Sequence, residues 1–179
     1  LEDGDVAEFQ PGVVTVTGAD GTEVDRALKT IDWTAEDVGT CGFPHHMLKE
    51  IHEQPDVLAR TAGERIDLEV GDARFESELF GDESMDSVRR VQVVACGTAL
   101  HAGLVTRYMI ERMSGIACDV DYASEFRYRE PVLEGDTLLL SISQSGETAD
   151  TLAAQRLGAQ LGARTATICN SIGSTMVRE

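Results

Sequence analysis

The densest run of chemistry-bearing side chains is Ser143-Gln144-Ser145-Gly146-Glu147-Thr148, between the apolar stretch Thr137 to Ile142 and a helical pattern that starts at Ala149. A strand that turns into a helix through small hydroxyl residues leaves backbone N–H groups without internal partners. It also points the positive end of the helix dipole out of the turn. Such a turn suits a phosphate. Ser143, Ser145 and Thr148 can add hydroxyl donors and Gln144 an amide, while Gly146 permits positive φ or close backbone approach. The same residue types cap helices where no ligand is present, so the pattern alone leaves both readings open. The loop has no Lys or Arg, so an anion there would be held by neutral donors. Glu147 and Asp150 suit the helix dipole but would repel a phosphate, and they are expected to point away from it.

A second group, Cys96-Gly97-Thr98, ends the apolar run Val91 to Ala95 and precedes another helical pattern. If both runs are neighbouring parallel strands, Thr98 lies on the same carboxyl edge as the Ser143 loop and can offer a hydroxyl to the same ligand. A plain strand-to-helix turn is the alternative. The other reactive residue types carry less. Cys41, Cys96, Cys118 and Cys169 are far apart with no C-x-x-C pair, which argues against a zinc site or a disulfide framework and suits a reducing compartment. Cys96 and Cys169 each end an apolar run and are expected to be small buried hydrophobes. His45, His46, His52 and His101 read as surface or packing histidines. No residue of the chain is assigned as catalytic, and no metal or cofactor is implied.

These groups need a scaffold. Val91 to Ala95, Ala117 to Tyr122, Thr137 to Ser143 and Thr165 to Cys169 read as strands. The stripes Leu100-Leu104-Tyr108 and Ala149-Ala153-Leu157-Leu161 read as helices between them. Strands alternating with helices of this length predict an α/β fold with a parallel sheet covered on both faces. Ahead of it, Gly12 to Thr17 and Thr22 to Val24 read as strands joined by an Asp20-Gly21 hairpin turn. Residues 46–62 read as a helix with Met47, Ile51 and Leu58 near one face, kinked or restarted at Pro55. Gly63 to Ser87 is acidic with scattered hydrophobes (Leu68, Phe75, Leu79, Phe80) and reads as helix mixed with exposed loop.

The 179 residues carry a formal net charge of -17, and Lys29 and Lys49 are the only lysines. That balance repels nucleic-acid phosphates and anionic membranes. Excess carboxylate with little lysine also suits a high-salt cytoplasm, where cations screen the self-repulsion. The apolar runs are far shorter than the roughly 20 residues that cross a bilayer, and no basic-then-apolar leader opens the chain. A cytoplasmic protein is expected.

Ala95-Cys96-Gly97-Thr98, Ala123-Ser124-Glu125-Phe126-Arg127-Tyr128-Arg129, Ser143 through Thr151 (SQSGETADT) and Ile168-Cys169-Asn170 together resemble the first sugar isomerase (SIS) domain of the glutamine–fructose-6-phosphate aminotransferase family. His46-Met47-Leu48-Lys49-Glu50-Ile51 is similar to that family's segment between its glutaminase and isomerase halves, and Leu1 to Glu8 to the end of the glutaminase domain. The resemblance implies three regions: 1–40, the end of a glutaminase domain and a linker hairpin; 41–88, an interdomain helical segment; 89–179, a first SIS domain incomplete at its C-terminus. It implies a flavodoxin-like three-layer αβα domain. It also implies that Thr98, Ser143, Gln144, Ser145 and Thr148 hold fructose 6-phosphate or glucosamine 6-phosphate, in an enzyme that dimerises through its isomerase half. Ala99 departs from the serine common in the family. The family's catalytic cysteine, lysine, glutamate and histidine have no match here, so the chain is expected to bind without converting. Glu125 is expected to pair with Arg127 or Arg129, or to cap, rather than act as a base. The alternative from another class is a non-catalytic SIS module that senses sugar phosphates. A DNA-binding helix-turn-helix or a basic face would favour it, and neither is visible.

Overall fold

The computed structural model describes residues 1–27, 39–63, 65–73 and 85–179. Contacts divide the chain into two units, Leu1–Asp72 and Ala73–Glu179. Phe75, Leu79 and Phe80 lie outside the described residues.

In the first unit, β1 (Val6–Gln10) and β2 (Val13–Thr17) form an antiparallel hairpin, with Val6 opposite Thr17 and Gln10 opposite Val13. The turn is Pro11-Gly12, with Gly12 at φ 81. Proline followed by a positive-φ glycine is the pairing a type II turn requires, so Gly12 is a turn residue rather than the start of a strand. The expected Asp20-Gly21 turn also forms, with Asp20 Oδ1 accepting the Thr22 N–H at 3.0 Å. It closes a single bridge, Thr17 to Glu23, and not a second ladder. Arg26 reaches back to grip Asp5 with two hydrogen bonds of 2.9 and 3.0 Å. That grip, helped by the Glu2 N–H, holds the Asp5 carboxyl down to about 2.

Helix α1 (His46–Gly63) continues through Pro55. His45 Nδ1 accepts the Leu48 N–H at 3.3 Å and so satisfies one of the free donors at the helix start. Lys49 is buried, donating to the Gly39 carbonyl at 2.8 Å and facing Glu53 at 3.5 Å. Met47, Ile51 and Leu58 share a face as their spacing requires, yet all three are exposed. After α1, β3 (Ile66–Asp67) and β4 (Asp72–Ala73) make a two-residue ribbon where helix and loop were expected. Asp67 Oδ1 accepts the Glu69 and Val70 N–H groups at 2.9 and 3.1 Å, a local side-chain turn that competes with helix.

The second unit is a four-stranded parallel sheet: β5 (Arg90–Ala95), β6 (Ala117–Tyr122), β7 (Thr137–Ser143) and β8 (Arg164–Cys169), in the order β6-β5-β7-β8. Helix α2 (Thr98–Ser114) covers one face. There Leu100 meets Val91, Val93, Leu138 and Ile142. Helices α3 (Ala123–Tyr128) and α4 (Ala149–Gln160) cover the other, where Ala123, Phe126 and Ala154 meet Val94 and Leu139. A short α5 (Thr175–Arg178) follows β8. This is the three-layer αβα arrangement, in the strand order of the flavodoxin-like class. Alternate residues of the central strands β5 and β7 serve opposite faces, so these two strands read as near-continuous hydrophobic runs, while the outer β6 and β8 are more polar.

The strands match the sequence reading closely, and the helix stripes match in part, with Leu100 and Leu157 packed on the core. In α2 the inward residues are Leu100, Gly103 and the partly buried Ile110, while Leu104 and Tyr108 point outward. In α4 they are Thr151, Leu152, Ala154, Gln155 and Gly158, while Ala149 and Leu161 are exposed. Small residues set the close approach. A Cβ on Gly158 would lie 2.4 Å from Leu139 Cδ2, and a stripe chosen by side-chain size misses a contact made by the absence of one. Cys118, rather than Cys96 or Cys169, is the deeply buried thiol, and burial pushes it up to about 11. Glu125 is exposed, and the arginines expected to pair with it go elsewhere: Arg127 to Asp150 at 2.8 Å and Arg129 to Asp121.

Candidate functional site

After β5 the chain enters α2 on one face of the sheet, and after β7 it enters α4 on the other. The two connections therefore diverge at the carboxyl edge and leave a crevice between them. In open parallel sheets this switch point is where ligands bind. Here it is a cleft of about 200 Å³ lined by Thr98 from the first connection and by Ser143, Gln144, Ser145 and Thr148 from the second. All five residues picked from the sequence thus border one space. Cys96, Ala99, Ile142 and Thr151 complete the walls. Thr151 was not singled out from the sequence, because one threonine inside a helical pattern gives no local signal.

The loop is held by its own hydroxyls. Ser143 Oγ accepts the Gly146 N–H at 3.0 Å and lies 3.3 Å from Thr148 Oγ1. Ser145 Oγ accepts the Glu147 N–H at 3.2 Å. A hydroxyl that accepts from the backbone still has its own proton to donate, so Ser145 keeps a donor for a ligand, and of the Ser143–Thr148 pair the hydroxyl that accepts the shared bond keeps another. Gly146 adopts φ 65, and a Cβ there would lie 2.1 Å from Ser174 Oγ and 2.7 Å from Cys169 Sγ. The position demands glycine on both counts.

Thr148 occupies the N-cap of α4, yet its side chain makes no capping hydrogen bond. The first-turn N–H groups of a twelve-residue helix are therefore left open toward the cleft, with the partial positive charge they carry. Glu147 turns away and does not border the cleft. Its Oε1 accepts the Thr175 N–H at 2.8 Å, and its hydrogen bonds to the Thr175 backbone and side chain hold its carboxyl below the ordinary glutamate value. Asp150 is engaged by Arg127. Around the loop, Ser171 Oγ donates to the Gln144 carbonyl at 3.2 Å, and the Met176 N–H donates to the Gly146 carbonyl at 3.1 Å. The end of β8 and α5 thus fix the loop from behind.

Among the described residues no charged side chain borders the cleft. Its chemistry is that of hydroxyl, amide and backbone donors converging on one space, which suits an anion such as a phosphate ester. A larger depression of about 570 Å³ lies along β5 and β6, but its arginines are already engaged, Arg90 with Asp119 and Arg129 with Asp121. Among the described residues no cluster of His, Cys, Asp or Glu is arranged to hold a metal, and no helix is long and apolar enough to cross a membrane.

The chain is 45% identical over its whole length to a glutamine–fructose-6-phosphate aminotransferase (isomerizing) of Symbiobacterium thermophilum, and 46% identical to that of Shewanella oneidensis, spanning 29% of the length of each. Among solved structures, the C-terminal domain of glucosamine-fructose-6-phosphate aminotransferase from Francisella tularensis superposes with a TM-score of 0.71 at 38% identity, over 79% of this chain and 39% of that one. The family model described as "SIS domain" matches residues 84–179, the part that holds the parallel sheet and the cleft at its switch point, so the chain belongs to the SIS domain family.

Proposed function

We propose that the cleft binds the phosphate end of fructose 6-phosphate, and of the product glucosamine 6-phosphate, as the sugar-holding part of a glutamine–fructose-6-phosphate aminotransferase. The observation that carries this reading is the uncapped start of α4. A threonine stands at the N-cap without capping and shares one hydrogen bond with Ser143, while Ser145 accepts from the backbone and keeps its proton to donate. Helix capping alone would not leave these donors idle. The names of the whole-length relatives supply the substrate.

In this reading Thr98, Ser143, Gln144, Ser145 and Thr148 bind and orient the sugar phosphate. Among the described residues no Lys, Asp, Glu or His borders the cleft, so the acid, base and amine chemistry is assigned to groups outside it, and the 179-residue chain is expected to hold its ligand without converting it. Residues 1–40 then correspond to the end of a glutaminase domain with its linker hairpin, 41–88 to an interdomain segment and 89–179 to a first SIS domain. The protein works as a homodimer through its isomerase half, in the cytoplasm and apart from nucleic acid. Four free cysteines and a net charge of -17 are in keeping with that setting.

Calorimetric titration with fructose 6-phosphate tests the proposal. Binding near millimolar is expected from a few neutral hydrogen bonds of about 0.5–1.5 kcal/mol each. The double variant Ser145→Ala, Thr148→Ala should weaken it at least about tenfold, with little loss of stability. Equal affinity in parent and double variant would move the site elsewhere.

A further inference from the structure

Thr151 is 1% exposed, forms part of the cleft wall, and has an enclosed hydroxyl with no hydrogen-bond partner among the described residues. A helical threonine commonly satisfies its hydroxyl on the carbonyl one turn back, as Thr106 does on the Ala102 carbonyl at 2.9 Å. Thr151 does not. An unpaired buried hydroxyl disfavours the folded state, whereas valine would fill the same shape without that penalty. The other enclosed side-chain atoms without a partner, on Asp136, Thr137 and Ser141, do not border the cleft.

The placement of Thr151 in the helix gives the hydroxyl a use. With Thr148 at the N-cap, Thr151 is the third residue of α4. A side chain at that position reaches back toward the N-cap. Threonine in a helix also populates two rotamers about its Cα–Cβ bond, so its hydroxyl can turn without moving the backbone.

We propose that Thr151 is a further ligand-binding residue of the cleft, whose hydroxyl turns to donate a hydrogen bond to a phosphate oxygen beside the open N–H groups of α4. The inference rests on the sugar-phosphate reading of the site and adds to it a residue whose free-state cost is relieved by the ligand. It also makes Thr151 the residue at which stability and affinity oppose each other.

The experiment compares Thr151→Val and Thr151→Ser in the 179-residue chain, titrated with fructose 6-phosphate and separately with inorganic phosphate, with a thermal melt of each free protein. Thr151→Val should raise Kd for both ligands about three- to tenfold, the loss of one hydrogen bond, with Tm unchanged or higher. Thr151→Ser keeps the hydroxyl and should bind as the parent does, even where losing the methyl lowers Tm. Parent-like Kd in Thr151→Val, or equal weakening in both variants, overturns the proposal. Weak binding by Ser145→Ala, Thr148→Ala beside parent-like binding by Thr151→Val would defeat the Thr151 inference alone. No binding by the parent chain, or no effect of the double variant, would defeat the reading of the site and this inference with it.

Discussion

The hydroxyls of Ser143 and Thr148 lie 3.3 Å apart across the turn that joins β7 to α4, one at the last residue of the strand and one at the helix N-cap. Thr148 therefore faces its neighbour and the cleft instead of the helix backbone. Losing a capping threonine typically costs about 1 kcal/mol. Thr148→Ala should cost less than about half of that, because no cap is lost. Urea denaturation reads the difference, and a loss of 1 kcal/mol or more would return Thr148 to an ordinary capping role.

Gly146 is the tightest point of the loop. Alanine there meets both a left-handed backbone and a Cβ 2.5 Å from Ser174 Cβ. The expected destabilisation is about 2–4 kcal/mol, from the backbone penalty and the overpacking together. Chemical denaturation of Gly146→Ala measures it, and a variant as stable as the parent would mean that the turn has another conformation.

Glu147 ties the loop to α5, and its carboxyl is held below the ordinary glutamate value by hydrogen bonds from Thr175, the backbone one foremost. A folded-state value below the unfolded one means that the contact stabilises the fold at neutral pH. That stability is lost as pH falls from the ordinary glutamate value through the lowered one. Glu147→Gln should accordingly show a shallower fall of Tm with acidification over that window. Parallel Tm curves for parent and variant would show that the Glu147 contact carries no such linkage.

Much of this arrangement is legible in the residues alone. The central strands β5 and β7 are largely apolar runs, the outer β6 and β8 mix apolar with polar residues, and the bounds read from the sequence agree with all four to within a residue. The loop stood out because hydroxyls and one glycine separate a strand from a helix. What could be read only in part was which side of each helix faces inward. In α4 that side is Leu152 with Thr151, Ala154, Gln155 and Gly158, mostly small or polar residues that a search for large apolar side chains passes over. The Pro11-Gly12 turn was missed for a related reason, since Asp20-Gly21 is the stronger hairpin signal in isolation and only the alternation of β1 against β2 selects the other. That the Thr148 hydroxyl faces Ser143 rather than capping its helix is a matter of one side-chain rotamer, and composition holds no trace of it.

The surface charge carries a prediction of its own. With a net charge of -17 and two lysines, self-repulsion opposes the compact state in dilute buffer and is relieved by screening. Tm should climb as KCl rises from about 10 mM, where the Debye length is about 30 Å, to about 1 M, where it is about 3 Å. A flat or falling Tm would remove the case for adaptation to high salt.

The most direct test of the account is where a sugar phosphate perturbs the protein. Backbone amide shifts should be followed by NMR as fructose 6-phosphate is added to the isotope-labelled chain. The largest changes are expected at Thr98 and from Ser143 through Thr151, on the two connections that diverge at the switch point. Little change is expected around Arg90 and Asp119 in the larger depression. Shifts centred on that depression, or scattered over the surface with no focus at α4, would contradict the assignment of the cleft as the sugar-phosphate site.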